Sequence, residues 1–484
     1  MNKRKNNQKP GANIVRISRL ESIKPINIST GNFDFKKQFY NPSLTLFLLY
    51  VSIIIIETFL LLLPQSTVNP EENSFIKSLF TATSSFTLTG LIVENTNEFW
   101  TPIGKTIIVF FIFIGGIGFM TSSSFILKLF GQKISLTQQI LLRESIADSR
   151  SLGNLQIGNI ISTLGLIVSY SIFVQVIIAV LLTFIFIPDM NLSNAILQGL
   201  AHSISSFNGA GFIFFNNEGL LGGYENNSKI LITIGAGLFL GSIGYLVFLD
   251  LIKNLKWQKF SLNSKIVISS TIFLNVIGTI VFFILESSSN AGVLDNLSTQ
   301  DSIKHSIFNT ISGRTAGFSS LPFNLINSST VIWCSTLMFI GGASASTAGG
   351  IKVNTFMVIF AFIKSTITGS SNTSIFGRKI PDEQVKRCIT IATLGIFTII
   401  LSLILISSLE KNIDTNSILF EICSAFGTVG LSSGFIAVAS NTSKIILTLL
   451  MILGRIGPIS MILALGNINN PKLFKYAEER VTIG

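Results

Sequence analysis

A short glycine motif occurs four times in this chain, each time between two apolar stretches: Thr87-Leu88-Thr89-Gly90-Leu91, Asn208-Gly209-Ala210-Gly211-Phe212, Arg314-Thr315-Ala316-Gly317-Phe318 and Gly427-Thr428-Val429-Gly430-Leu431. The fourth-position glycines are 121, 106 and 113 residues apart, the spacing of a divergent internal repeat. A second glycine feature follows 25, 30, 24 and 24 residues later: Gly115-Gly116-Ile117-Gly118, Gly241-Ser242-Ile243-Gly244, Gly341-Gly342-Ala343-Ser344 and Gly454-Arg455-Ile456-Gly457. Equivalent elements set around one axis would hold two glycine features in phase four times, and random apolar sequence would not. One chain therefore reads as four quarters of a ring, with function expected on the axis.

The 484 residues are 48% hydrophobic and 12% charged, with a mean hydropathy of +0.63, which places the chain in a bilayer. Eight runs (43–64, 107–130, 157–188, 230–252, 266–285, 331–363, 388–406 and 445–465) are about the ~20 residues needed to cross a ~30 Å hydrocarbon core. Between the two runs of each quarter lies a segment too short to cross: 73–86, 193–206, 302–312 and 415–426. Fourteen helical residues reach only about 21 Å, so these segments enter and turn back. The fold class expected is an all-α polytopic membrane protein of four tandem membrane–pore-loop–membrane repeats around a central pore. The divisions are a basic tail at 1–41, repeats at 42–130, 131–256, 257–365 (with a broken second span) and 366–466, and a tail at 467–484.

The net charge of +11 belongs to the membrane rather than to nucleic acid. Lysines and arginines crowd residues 1–41 and recur at Lys253, Lys256, Lys259 and Lys265, while loops of opposite parity carry Glu71, Glu72, Glu94, Glu98, Glu410 and Asp414. The positive-inside rule then puts both tails in the cytoplasm, in a multi-pass protein of the cytoplasmic membrane. Cys334, Cys388 and Cys423 are scattered, and His202 and His305 stand alone, so neither a metal centre nor an enzyme is expected.

Non-helical backbone at membrane depth survives only where it lines a water-filled cavity or is buried in protein. Carbonyl rings from four such segments suit a dehydrating potassium ion, and glycine supplies the backbone angles that aim them. The candidate filter is Thr87, Leu88, Thr89 and Gly90; Asn208, Gly209, Ala210 and Gly211; Thr315, Ala316 and Gly317; and Thr428, Val429 and Gly430. Taken singly each copy reads as a helix C-cap or turn; repetition makes the filter. The downstream glycines of the first, second and fourth quarters are read as close-packing positions. The run Gly341, Gly342, Ala343, Ser344, Ala345, Ser346, Thr347, Ala348, Gly349, Gly350 has no bulky apolar face, so the helix over 331–363 should break there. It lacks the order of a phosphate-binding loop.

These motifs resemble the Trk/Ktr/HKT superfamily of cation transporters over essentially the whole chain after residue 41. The most specific stretches are Arg314 to Phe318, Gly341 to Lys352, Ser424 to Leu431 and Gly454 to Pro458, and the layout is most similar to the KtrB membrane subunits. Ala343-Ser344-Ala345 departs from the Ser-Pro-Gly usual there, and Gly209 from Asn or a small residue. The resemblance implies potassium as the permeant ion, with sodium open as activator or co-ion and no bound organic cofactor. It also implies a homodimer served by a cytoplasmic nucleotide-binding ring of the KtrA type, and an intramembrane gate at 341–350 closed by Lys352 and faced by Arg455. Lys352 either snorkels or bonds the loop's carbonyls. Arg314 is read as structural, bonding pore-helix carbonyls or acids such as Glu421. The rivals are a sodium-selective or sodium-coupled member of the superfamily, a broken-helix secondary transporter and an intramembrane hydrolase, for which no nucleophile–base pair stands out.

Overall fold

The computed structural model describes residues 42–118, 157–215, 220–254, 256–288, 292–295, 297–344 and 346–457. The expected tails, Ala345, and the ends of the second runs beyond 118 and 457 lie outside the described residues. The chain is mostly helical. The first quarter holds α1 (Pro42–Leu61), α2 (Phe75–Thr87) and α3 (Pro102–Ile117). The second holds α4 (Ile157–Phe186), α5 (Leu192–Asn208), α6 (Ser228–Ile243) and α7 (Tyr245–Lys253). The third holds α8 (Leu262–Ser287), α9 (Thr299–Thr315), α10 (Ser328–Phe339) and α11 (Val353–Ile367). A two-stranded hairpin, β1 (Ser374–Ile375) and β2 (Arg378–Lys379), leads to the fourth quarter: α12 (Asp382–Leu409), α13 (Thr415–Gly427) and α14 (Asn441–Ile456).

Many helix starts are set by side-chain caps that satisfy otherwise orphaned N–H groups. Ser74 accepts from Lys77 N–H before α2, Thr101 from Gly104 before α3, Ser298 from Asp301 before α9 and Ser440 from Ser443 before α14. Among the described residues three helical stretches are long and apolar enough to cross a membrane, Gly165–Phe186, Leu262–Ser287 and Asp382–Leu409. A fourth is obtained if α6 and α7, bent by 90° at Gly244, count as one.

In each quarter the first helix of the second run ends inside the run, which the sequence indicated only for the third. There the chain leaves helix at Ile340 and re-enters it at Val353, as expected. In the other three, α3, α6 and α14 each stop at a glycine, Gly118, Gly244 and Gly457, with φ of 85°, 90° and 91° and ψ of 126°, 145° and 140°. Only glycine occupies this region of positive φ and large positive ψ cheaply.

Packing follows a cyclic rule. Each short helix (α2, α5, α9, α13) packs against the helix after it in its own quarter, α3, α6, α10 and α14. It also packs against the equivalent helix of the preceding quarter, the one that follows the short helix there: α5 on α3, α9 on α6, α13 on α10 and α2 on α14. The apolar clusters gather around short-helix phenylalanines, Phe86 in one, Phe207 and Phe308 in the second, Phe420 and Phe426 in the third. The long helices turn Phe59, Phe184 and Phe397 outward, a surface suited to lipid.

Candidate functional site

Each candidate filter segment begins where a short helix ends. Thr87, Asn208 and Thr315 are the last residues of α2, α5 and α9, and Thr428 follows α13. The turn is fixed by backbone bonds to serine carbonyls near the helix end: Thr89 N–H to Ser84 O (2.8 Å), Ala210 to Ser205 (2.8 Å), Val429 to Ser424 (2.9 Å) and Ala316 to Ser312 (2.7 Å). In three quarters the residue after the helix, Leu88, Gly209 or Thr428, is left-handed, with φ of 61°, 70° and 48°, as in helix C-caps generally. The glycines that follow, Gly90, Gly211 and Gly430, have φ of 88°, 69° and 95°. Thr87 Oγ1 and Thr89 Oγ1 share a 2.7 Å hydrogen bond.

The third segment differs. Ala316 is extended (φ −158°, ψ 156°) and Gly317, unlike Gly90, Gly211 and Gly430, has no positive φ. The residue before it, Arg314, is buried, and its guanidinium donates to Thr271 O (3.4 Å), Asn275 Oδ1 (2.9 Å) and Gly341 O (3.3 Å). It does not bond Glu421, as the sequence reading had suggested; that carboxylate accepts from Ser432 Oγ (2.5 Å) and Ser433 N–H (2.9 Å).

The four fourth-position glycines meet. A methyl group built on Gly90 would lie 3.2 Å from the Gly211 Cα, one on Gly211 2.7 Å from the Gly317 Cα, one on Gly317 2.9 Å from the Gly430 Cα, and one on Gly430 2.9 Å from the Gly90 Cα. The order is cyclic and closed. No side chain fits at any of the four positions without displacing backbone.

The second set of glycines packs as expected, and does so in register. Added methyls on Gly115, Gly241 and Gly454 would strike the carbonyl groups of Phe86, Phe207 and Phe426, at 3.1, 3.0 and 2.8 Å from the carbon. These phenylalanines stand at equivalent places near the ends of α2, α5 and α13.

The 341–352 run crosses beside this assembly and is tied to three other quarters. Ala343 N–H donates to Ser242 O (3.0 Å), Thr347 N–H to Gly241 O (3.4 Å) and Gly350 N–H to Gly454 O (3.1 Å). Arg455 donates to Thr347 O and to Gly115 O (3.1 Å), so one guanidinium joins the run to the first quarter. Lys352 bonds the Ala348 carbonyl, the second of its two expected roles. Ser346 Oγ donates to Ala343 O (2.7 Å), Gly342 O accepts from Val353 N–H (3.0 Å), and Gly341 N–H donates to Ile351 O (2.9 Å). Ser344 Oγ lies 3.5 Å from Asn354 Nδ2. Gly349 abuts the Thr428 side chain, where an added methyl would sit 2.7 Å from Cγ2.

A further set of residues escaped the sequence reading. In three quarters a polar side chain on the short helix catches the backbone N–H three residues beyond the ring glycine: His202 Nε2 accepts from Phe214 (3.2 Å), Asn309 Oδ1 from Ser320 (3.1 Å) and Glu421 Oε1 from Ser433. In the first quarter the return segment is held instead by the Lys77–Glu94 ion pair at 2.7 Å. His202 is thus a latch, and His305 stands beside another, its Nδ1 2.8 Å from Ser320 Oγ. The available signal was a polar residue eight or nine positions before each of those three glycines.

A family model described as TrkH, cation transport protein, matches residues 47–476. The chain is 35% identical to Ktr system potassium uptake protein B of Bacillus subtilis over 89% of its length and 94% of that protein. It is 31% identical to potassium/sodium uptake protein NtpJ of Enterococcus hirae, over 88% of this chain and 93% of that one. Among solved structures, the potassium transporter TrkH from Vibrio parahaemolyticus aligns with a TM-score of 0.68 at 17% identity, covering 89% of this chain and 86% of that one, a likeness of fold.

Proposed function

Since this chain belongs to the TrkH family of cation transport proteins, we propose that it takes up potassium across the cytoplasmic membrane along the axis on which its four ring glycines meet. The closed cyclic order of Gly90, Gly211, Gly317 and Gly430 carries this reading. Four non-helical segments converge there, and their carbonyls replace water around a partly dehydrated potassium ion. The C-terminal ends of α2, α5, α9 and α13 lie next to the ring and add partial negative charge that favours a cation.

The 341–352 run acts as the gate. Its hydrogen bonds to Ser242, Gly241 and Gly454 and its tie to Arg455 hold the closed state, and opening exchanges them for water. The names of the Ktr-system relatives support a partner: the chain works as the pore subunit, in a homodimer, under a cytoplasmic nucleotide-binding ring of the KtrA type, with both tails cytoplasmic. A second reading, sodium passage or sodium coupling, is favoured by the potassium/sodium name of the Enterococcus relative.

The test is growth at millimolar potassium of a bacterium lacking its own uptake systems, expressing this chain with and without such a ring while sodium is varied. Rescue abolished by Gly90→Ser or Gly430→Ser is the expected result. Membrane insertion without rescue, or rescue by sodium alone, overturns the potassium reading.

A further inference from the structure

The hairpin between α11 and α12 holds an aromatic residue in a backbone conformation that such residues avoid. Phe376 and Gly377 form its two-residue turn, with φ of 49° and 72°, flanked by the Ile375–Arg378 pair. Two-residue hairpin turns with positive φ at both positions select Asn, Asp or Gly first, and a bulky side chain there is strained. Despite this Phe376 is 52% exposed. The hairpin does not lack anchorage: Ile375 and Ile380 are buried against Ile266 of α8, Val358 of α11 and Val385 of α12. Its inner face is core, so the strained outward ring serves something outside the chain.

Around that ring the surface is aromatic, apolar and basic. Trp257, 46% exposed, meets Phe376 edge-on at 6.4 Å between centroids. Phe360, Ile363 and Ile367 form one exposed apolar stripe of α11 running to the hairpin. Lys256, Lys259, Lys364, Arg378 and Lys379 are exposed. Segments 253–265 and 364–387 together carry nine Lys and Arg against two acids, Asp382 and Glu383. Those two open α12, where a helix N-terminus accounts for them.

We propose that the Phe376 hairpin and the Trp257 turn form a binding site for the anionic headgroup of a membrane phospholipid, with the two rings in the interface and Arg378 and Lys379 on the phosphate. The apolar stripe of α11 runs from Phe360 to Ile367, the last residue of the helix that leads to the hairpin. Paired aromatics with adjoining basic side chains are what the headgroup region of an anionic leaflet selects.

The test is independent of transport. Purified full-length protein in uncharged detergent is titrated with phosphatidylglycerol and, separately, phosphatidylcholine, and the midpoint of thermal unfolding is followed. Phosphatidylglycerol alone should raise it. Arg378→Gln with Lys379→Gln should weaken that response about 30-fold, at the worth of two basic groups beside an anionic surface. Phe376→Asn, which suits the turn, should hold or raise the midpoint without lipid while weakening the response. Equal effects of the two lipids, or variants that respond like the parent, overturn the proposal. So does loss in these variants of stabilisation by an added protein partner while the lipid response stays intact.

Discussion

The third glycine segment and its three counterparts occupy equivalent places in the ring, yet their backbones differ. Leu88, Gly209 and Thr428 turn left-handed two residues before their glycines; at that place in the third segment Thr315 is still the last residue of α9, and Gly317 has no positive φ. The third segment follows Arg314, where the others follow Thr87, Asn208 and Gly427. A buried guanidinium needs acceptors and, at membrane depth, needs them close. Arg314 finds them on α8 and at Gly341, so the residue that precedes the third segment is bonded to the start of the 341–352 run. The repeat fixes where each segment lies, and the chemistry of one preceding side chain fixes how it turns.

That contrast can be broken most directly at the ring. Gly430→Ala and Gly90→Ala add both a clash and a positive φ that alanine resists; rubidium uptake should fall to background. Gly317→Ala adds a clash without the φ penalty and should retain measurable uptake. Equal loss at all three would mean that the conformational difference has no functional weight.

Arg314→Gln should lower stability by about 2–3 kcal/mol, as when a buried charge-assisted bond is lost. The drop should be smaller when residues 343–349 are also deleted, because the 341–352 run is then already displaced; chemical denaturation of single and combined variants measures this. Additive effects would sever the link drawn between the third segment and the run.

The packing glycines sharpen the picture further. Gly241→Ala meets the Phe207 carbonyl and should cost about 1–3 kcal/mol, the range for overpacking. Gly235→Ala, with only Phe308 at 3.8 Å, should be neutral or slightly stabilising through helix propensity. The same denaturation assay separates them.

The smallest effect is expected at Glu410, beyond the end of α12. Bonds from Ser440, and then Ser443, hold its carboxyl below the usual carboxylate range. A depressed folded-state value means that its contribution is present above the unfolded value, about pH 4.3. The contribution is lost as pH falls through the folded value. Glu410→Gln should therefore flatten only the acid limb of a stability–pH curve below about pH 5.

The cyclic arrangement and the third-quarter break were legible because glycine spacing and the lack of bulky side chains over 341–350 are local signals. The helix ends at Gly118, Gly244 and Gly457 were not, since a glycine that packs and one that reverses φ look alike in sequence. The Gly-x-Ile-Gly pattern holds one of each. The latches at His202, Asn309 and Glu421 were hidden because each is one polar residue among several on its short helix, and only the returning chain reveals its partner. The acceptors of Arg314 lie 43 and 39 residues before it in sequence and 27 after, beyond the reach of any local pattern.

Because α2 packs on α14 as α5 packs on α3, the first and last quarters are neighbours like any other pair. The covalent chain is therefore a circle cut at one point. Each quarter is bordered by two others, so its packing is inherited from its place in the circle, whichever quarter comes first in the polypeptide. Quarters are free to diverge away from the ring, as the third did where its second run opens into 341–352, while a substitution at the inner glycines is felt by two quarters at once. Tandem duplication in such an arrangement lets one copy specialise while its neighbours preserve the axis.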